Sequence, residues 1–228
     1  MPLSLHWLPP QGSWLAEVMI STRRRLPILA FLLTTLTASI SGAAGLDKGA
    51  DNRPGSDVAV PDGYRLEHYR APVPAEVPGA TTVGLDEAEA LHRSGAALFI
   101  DVMKVPRGES PGFEHKWLVA KPHVAIKGST WLPETGEGVL KPEIERYFRS
   151  NLERLTGGDP GAPLLFYCVT DCWMSWNAAK RALSWGYRQV YWYRDGIEVW
   201  QQFDLPTETV DPVPLSPGPL PAVPLSSE

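Results

Sequence analysis

Short apolar runs alternate with amphipathic stretches through the middle of the chain. Four runs contain almost no polar alternation, at 96–102, 123–126, 163–168 and 189–193. Runs of this kind predict strands that are buried on both faces, as in a parallel sheet. Helices are predicted over 85–92, 142–155 and 176–185, with a last helical turn at 196–203. Strands and helices in this order predict an α/β sandwich with a mostly parallel central sheet.

The composition of the N-terminus is typical of an export signal. Three arginines at 23–25 precede an apolar run at 26–36, and small residues follow up to Ala44. That order predicts a signal peptide at 1–44, and the apolar run is short for a membrane span. Met19 gives a cleaner start than the first methionine, because a Pro-Pro pair and a glutamate lie between them. We therefore predict a periplasmic protein with no membrane span after cleavage, exported by either the general secretory or the twin-arginine route.

The segments on either side of the predicted domain are rich in proline. Residues 45–78 predict a solvated leader that continues into an extended arm outside the core, since the prolines of its second half exclude a helix. We place the folded domain at 79–207. From 208 to 228 proline is frequent and apolar periodicity is absent, which predicts a disordered tail.

Charge and cysteine content narrow the function classes. Lys and Arg number 21 against 26 Asp and Glu, so the chain lacks the basic surface that nucleic acid binding requires. The sequence holds two cysteines, and after export they can either form a disulfide with each other or remain free. A metal site is not predicted, because His115 and His123 have no ligand-pair spacing with each other or with the cysteines.

The segment from Cys168 to Trp173 carries the candidate chemistry. Cys168 ends a predicted strand of a parallel sheet, the edge at which such sheets bind ligands. Loop amides and a helix N-terminus stabilise negative charge, so we expect a lowered pKa for the Cys168 thiol and predict it as the nucleophile. The predicted anion-cradle loop consists of Val169, Thr170, Asp171 and Trp173. Cys172 is predicted to resolve an oxidised or persulfidated Cys168 as a disulfide; alternatively, both cysteines are structural.

Three neighbouring residues each have two interpretations. Trp173 and Trp176 either roof the site or, as we favour, pack in the core. Asp171 either caps the following helix, which we favour, or raises the thiol pKa. Asp101 either hydrogen-bonds the cysteine loop or only ends its strand.

Several segments resemble the rhodanese-like domain over roughly residues 80–207. The first half of that domain is similar to 97–102 and 126–133, and the second half to Tyr167-Cys168, 178–183, 186–190, Asp195-Gly196 and Trp200. More narrowly, the run from Cys168 through Cys172-Trp173 resembles the CXXCW-motif proteins associated with pyrroloquinoline-quinone (PQQ)-dependent catabolism, although three residues separate the cysteines here.

The resemblance implies a three-layer α/β sandwich in which Cys168 accepts sulfur as a persulfide. It implies that the partner is a small sulfur donor or acceptor or a thiol protein. The protein would function beside a quinoprotein dehydrogenase or cytochrome c system. No residue is predicted to bind a cofactor. The resemblance would place an arginine where this chain has Met103 and a cationic residue in the loop where it has Cys172, Trp173 and Met174. The related phosphatases need an arginine at the position of Met174. Without them we expect poor thiosulfate turnover and no phosphatase activity. The alternative is a non-catalytic accessory or assembly factor with a structural Cys168–Cys172 disulfide.

Overall fold

The computed structural model describes residues 57–108, 110–113 and 115–215. Along the chain the elements are β1 (Thr81–Val83), α1 (Leu85–Ser94), β2 (Leu98–Asp101), β3 (His123–Ile126), β4 (Thr130–Trp131), α2 (Pro142–Thr156), β5 (Leu164–Tyr167), α3 (Trp173–Ser184), β6 (Val190–Tyr193), α4 (Gly196–Gln202) and β7 (Thr207–Val210). The central sheet has five strands in the order β1-β6-β5-β2-β4, and every pairing in it is parallel. Helices flank this sheet, which confirms the predicted α/β fold.

The apolar runs are buried because their strands lie inside the sheet. All four residues of β5 are buried, and β5 pairs with β2 on one side and β6 on the other. A parallel strand covered on both faces presents no side chain to solvent, so it shows no polar alternation. The carboxyl ends of β2 and β5 therefore lie side by side, with Asp101 opposite Tyr167.

The helix boundaries follow local signals at most ends. Proline opens α2, and Gly157 ends it in the left-handed conformation with φ of 63°. Helix α3 differs from its prediction, since it begins at Trp173 and not at residue 176. Its first turn thus follows directly on Cys172, which is the N-cap residue.

The predicted tail is folded as far as residue 215. Strand β3 lies outside the central sheet and pairs antiparallel with β7, which the prediction of a disordered 208–228 had missed. Beyond β7, the Val213 carbonyl accepts hydrogen bonds from Trp117 Nε1 and the Tyr147 hydroxyl, both at 2.8 Å. Leu215 is buried in the core. The composition of the segment does not predict this folded structure, because its partners come from distant parts of the chain. Residues 216–228 lie outside the described part of the chain.

The predicted arm also contributes to the core. Residues 64–78 are extended, as their prolines require, but Val73 and Val77 are fully buried. The prediction that the arm is not a core element is therefore wrong. The predicted signal peptide at 1–44 lies outside the described residues. Within the described part of the chain, no helix has the length and apolar character needed to cross a membrane.

Truncation of a buried tail side chain tests whether the C-terminal segment belongs to the fold. We expect Leu215→Ala to lower the free energy of unfolding by about 2–5 kcal/mol, because it removes buried methyl groups and leaves a cavity. Thr209→Ala, on the exposed face of β7, serves as control and should change it by less than about 0.5 kcal/mol. Urea denaturation measures both. Equal and small effects would contradict the packing of Leu215.

Candidate functional site

The two cysteines lie together at the carboxyl edge of the central sheet. Cys168 follows the last residue of β5, and Cys172 precedes the first residue of α3. Both are free thiols, with 1% and 4% of their surfaces exposed. The structure therefore places the predicted pair at the two ends of one short loop, close enough for each thiol to shift the pKa of the other.

The lowered pKa that the sequence predicted for Cys168 falls on Cys172 instead. The hydrogen bond from Cys168 lowers the pKa of Cys172, helped by the backbone amides of Met174 and Ser175 and by the charge of Arg70, against the effect of burial. The pKa of Cys168 is raised well above its usual range by the same hydrogen bond, by burial and by negative charge at Cys172 and Asp101. The predicted low pKa of Cys168 is wrong, because the interaction with Cys172 and burial both raise it, while the amides at the start of α3 act on Cys172.

Two of the predicted cradle amides already have acceptors from the protein. The Thr170 N–H donates to Glu198 Oε2 at 3.2 Å, and its hydroxyl donates to the Asp195 carbonyl at 2.6 Å. The Trp173 N–H donates to the Tyr69 carbonyl at 2.8 Å. The loop thus binds a carboxylate of its own chain at the position where an anion was expected.

Asp171 does not cap α3, so the favoured interpretation of this residue is wrong. The N-cap is Cys172, while Asp171 adopts a left-handed conformation with φ of 51°. This conformation turns the loop so that the Asp171 carbonyl accepts the Ala71 N–H at 3.2 Å. Asp residues tolerate positive φ better than most others, which suits Asp171 to this turn.

The N-terminal arm runs antiparallel along the cysteine loop. Arg70 forms a β-bridge with Cys172, and the bonds from Ala71 and to Tyr69 flank it. The arm thereby brings a guanidinium beside a loop that contains no cation of its own, and its charge lowers the pKa of Cys172. Sequence reasoning missed Arg70, since about a hundred residues separate it from the loop and no motif marks it.

Gly196 allows α4 to approach the loop from the other side. Its φ is +67°, and a Cβ at this position would lie 2.6 Å from the Val169 carbonyl carbon and 2.7 Å from the Cys168 oxygen. The Ile197 N–H donates to that same Cys168 oxygen at 2.9 Å. The conformation and the close approach both require glycine here.

Trp173 and Trp176 pack against the arm and are almost wholly buried. Their ring centroids are 5.3 Å apart. The indole N–H of Trp173 donates to the Pro72 carbonyl at 3.1 Å, and that of Trp176 to the Glu76 carbonyl at 3.0 Å. These contacts make the two tryptophans the packing surface for the arm.

Asp101 is buried beside the site and bonds away from the loop. One carboxylate oxygen accepts the Met103 N–H at 2.8 Å, and the other lies 2.8 Å from His123 Nε2. Its charge raises the pKa of Cys168. In the described residues no group of three or more His, Cys, Asp or Glu side chains gathers in a way that would hold a metal ion.

Residues 85–203, which include both cysteines, match the family model described as Rhodanese-like domain. This stretch is 119 of 228 residues, just over half of the chain. The protein belongs to the rhodanese-like domain family. No curated protein matches it.

Solved structures of three proteins are similar to this rhodanese-like chain. The polysulfide-sulfur transferase homodimer from Wolinella succinogenes is 19% identical, with 58% of this chain and 80% of that chain covered and a TM-score of 0.36. A full-length protein from Lactobacillus plantarum is 20% identical, with 57% of this chain and 88% of that chain covered and a TM-score of 0.38. A persulfide form of an EanB variant with ergothioneine is 26% identical, with 62% of this chain and 34% of that chain covered and a TM-score of 0.42. The chain thus spans about a third of the EanB chain.

A matched pair of glycine substitutions tests the contact between α4 and the loop. Gly95→Ala and Gly196→Ala both force a side chain into positive φ, at a cost on the order of 1–2 kcal/mol each. Only at Gly196 does the new Cβ meet the loop backbone, whereas nothing lies within 4 Å of it at Gly95. We expect Gly196→Ala alone to change the alkylation rate of Cys172, measured with iodoacetamide. Equal rates in the two variants would contradict this contact.

The pH dependence of the thiolate absorbance tests the assigned acidity. In the reduced protein the first thiolate should form below the usual cysteine range, because the pKa of Cys172 is lowered. Cys168→Ala removes the hydrogen bond that is the largest cause, so it should move this transition to higher pH. Ultraviolet titration follows the change. A transition that disappears in Cys168→Ala and persists in Cys172→Ala would instead assign the thiolate to Cys168.

Proposed function

We propose that this protein transfers sulfane sulfur and couples the transfer to thiol–disulfide exchange, with Cys168 as sulfur carrier and Cys172 as resolving thiol. The observation that supports this most strongly is the pair of free thiols that the short loop between β5 and α3 holds at the carboxyl edge of the parallel sheet. One thiol follows β5, and the other receives the free amides at the start of α3. These amides favour the thiolate form of Cys172, while Cys168 keeps its proton more strongly.

The proposed cycle starts with a proton transfer between the cysteines. Cys168 passes its proton to the Cys172 thiolate and attacks the outer sulfur of a donor R–S–SH, which becomes the Cys168 persulfide. The leaving R–S⁻ takes the proton from Cys172 and departs as R–SH. The regenerated Cys172 thiolate then attacks Cys168 Sγ, forms the disulfide and releases HS⁻. The donor sulfur is reduced to sulfide, the dithiol is oxidised, and two equivalents of a thiol reductant restore the pair.

The cellular setting is part of the proposal. The arginine triplet and apolar run at 23–36 support export to the periplasm, where dithiol–disulfide pairs function. The Cys172-Trp173 sequence supports membership of the CXXCW-motif group linked to PQQ-dependent alcohol or aldehyde oxidation. A quinoprotein dehydrogenase, its cytochrome c system or a small thiol compound would then be the partner.

A second candidate function is a non-catalytic accessory or assembly role. The burial of both cysteines favours it, since 1% and 4% exposure give a donor little access in this conformation. In that case a Cys168–Cys172 disulfide would only fix the surface made by the loop and the arm.

Mass spectrometry of single-cysteine variants separates the two candidates. After incubation with an organic persulfide, the wild type should release sulfide and end as the disulfide. Cys172→Ser should accumulate a persulfide on Cys168, because no thiol remains to resolve it, whereas Cys168→Ser should neither release sulfide nor form a disulfide. A wild-type disulfide that resists mild reduction, together with a Cys172→Ser variant that takes up no sulfur, would favour the accessory role.

A further inference from the structure

Glu198 lies where an anionic substrate of the cysteine loop would lie. Its Oε2 accepts the Thr170 N–H at 3.2 Å, and its Oε1 is 3.6 Å from the Arg70 guanidinium. A backbone amide and a guanidinium are the two kinds of donor that proteins use to bind oxyanions. Here one carboxylate of the chain occupies both.

Glu198 is bonded to the loop that joins the two cysteines. Thr170 stands midway between them in sequence, and Arg70 forms its β-bridge with Cys172. The charge of Arg70 also lowers the pKa of Cys172. The Glu198 carboxylate therefore binds one donor inside the cysteine loop and one from the residue bridged to Cys172.

Stability does not explain the Arg70–Glu198 pair. The two side chains are 60% and 45% exposed, and exposed pairs of this kind contribute little to folding. Their effect on an incoming ligand is larger, since a small dianion would meet a negative carboxylate and find the Thr170 amide already bonded. Asp171 adds a second negative residue to a loop segment that contains no basic one.

We propose that Glu198, held by Arg70 and the Thr170 amide, is a specificity-determining residue that excludes small sulfur oxyanions from the dithiol and restricts the site to thiol-derived substrates that carry no oxyanion group. This inference rests on the proposed function for its substrate class, but its anion-binding part does not depend on turnover. Glu198→Gln keeps an oxygen that can accept the Thr170 N–H and removes the charge. Arg70 then becomes free to bind an anion.

The reaction that Glu198 excludes is sulfur transfer from thiosulfate. A Cys168 thiolate that attacks the outer sulfur of thiosulfate, S₂O₃²⁻, forms the persulfide and releases sulfite, SO₃²⁻. The uncharged comparison is hydroxyethyl disulfide, R–S–S–R, which the dithiol reduces to two R–SH as it forms its own disulfide. Both probes react with the cysteines, but only thiosulfate needs the Arg70 guanidinium and the Thr170 amide that Glu198 occupies.

The experiment combines anion binding with reaction rates in the full protein. Sulfate is the unreactive dianion, and calorimetry or chemical-shift titration measures its affinity. We expect Glu198→Gln to bind sulfate roughly five- to tenfold more tightly and to raise the ratio of the thiosulfate rate to the hydroxyethyl disulfide rate by a similar factor. Adding Arg70→Gln should abolish both gains. Glu89→Gln removes an acid from an exposed ion pair with Arg93 on α1 and should change nothing.

The outcomes separate this inference from the proposed function. If Glu198→Gln and Glu89→Gln bind sulfate as weakly as the wild type, the specificity role of Glu198 is overturned, whatever the dithiol does. If Glu198→Gln gains sulfate affinity but no variant reacts with either probe, the anion exclusion stands and the dithiol function fails. A gain of sulfate affinity that survives Arg70→Gln would overturn the part assigned to Arg70.

Discussion

The short connection between the end of β5 and the start of α3 constrains the whole site. Four residues separate Tyr167 from Cys172, so the strand end and the helix start must lie close together. The first cysteine therefore directly follows the buried strand β5, and the second directly precedes the first turn of α3. The two thiols act on each other across this short loop, and their pKa values shift in opposite directions.

The connection is held in place by backbone contacts from both sides. Helix α4 approaches through Gly196 and donates to the Cys168 carbonyl, while the arm pairs with Asp171, Cys172 and Trp173. Backbone contacts of this kind leave the loop little freedom, which is what a pair of thiols needs to keep one hydrogen-bonded geometry. The same contacts bury the sulfur atoms, so the fixed conformation of the loop limits the access of a substrate to them.

The arm changes the electrostatics that the loop sequence suggests. Taken alone, the segment from Cys168 to Met174 has one acid and no base, and an anionic substrate would have no cation to meet. The arm adds Arg70, and α4 adds Glu198, which bonds to both Arg70 and the loop. The net result is a loop with a cation whose charge lowers the pKa of Cys172 and a carboxylate bonded to its Thr170 amide. Such a site suits uncharged sulfur compounds better than oxyanions.

Sequence alone determined the elements whose signals are local. The apolar runs predicted three of the parallel strands, and proline and glycine predicted the two ends of α2. The position of Cys168 after β5 predicted that the site lies at the edge of the sheet. Only the tertiary structure decided which thiol is acidic and which charges face it. Those properties depend on the arm and on α4, whose partners in the cysteine loop are distant in the chain. No local pattern encodes such contacts, because their energy arises only when the separated segments meet.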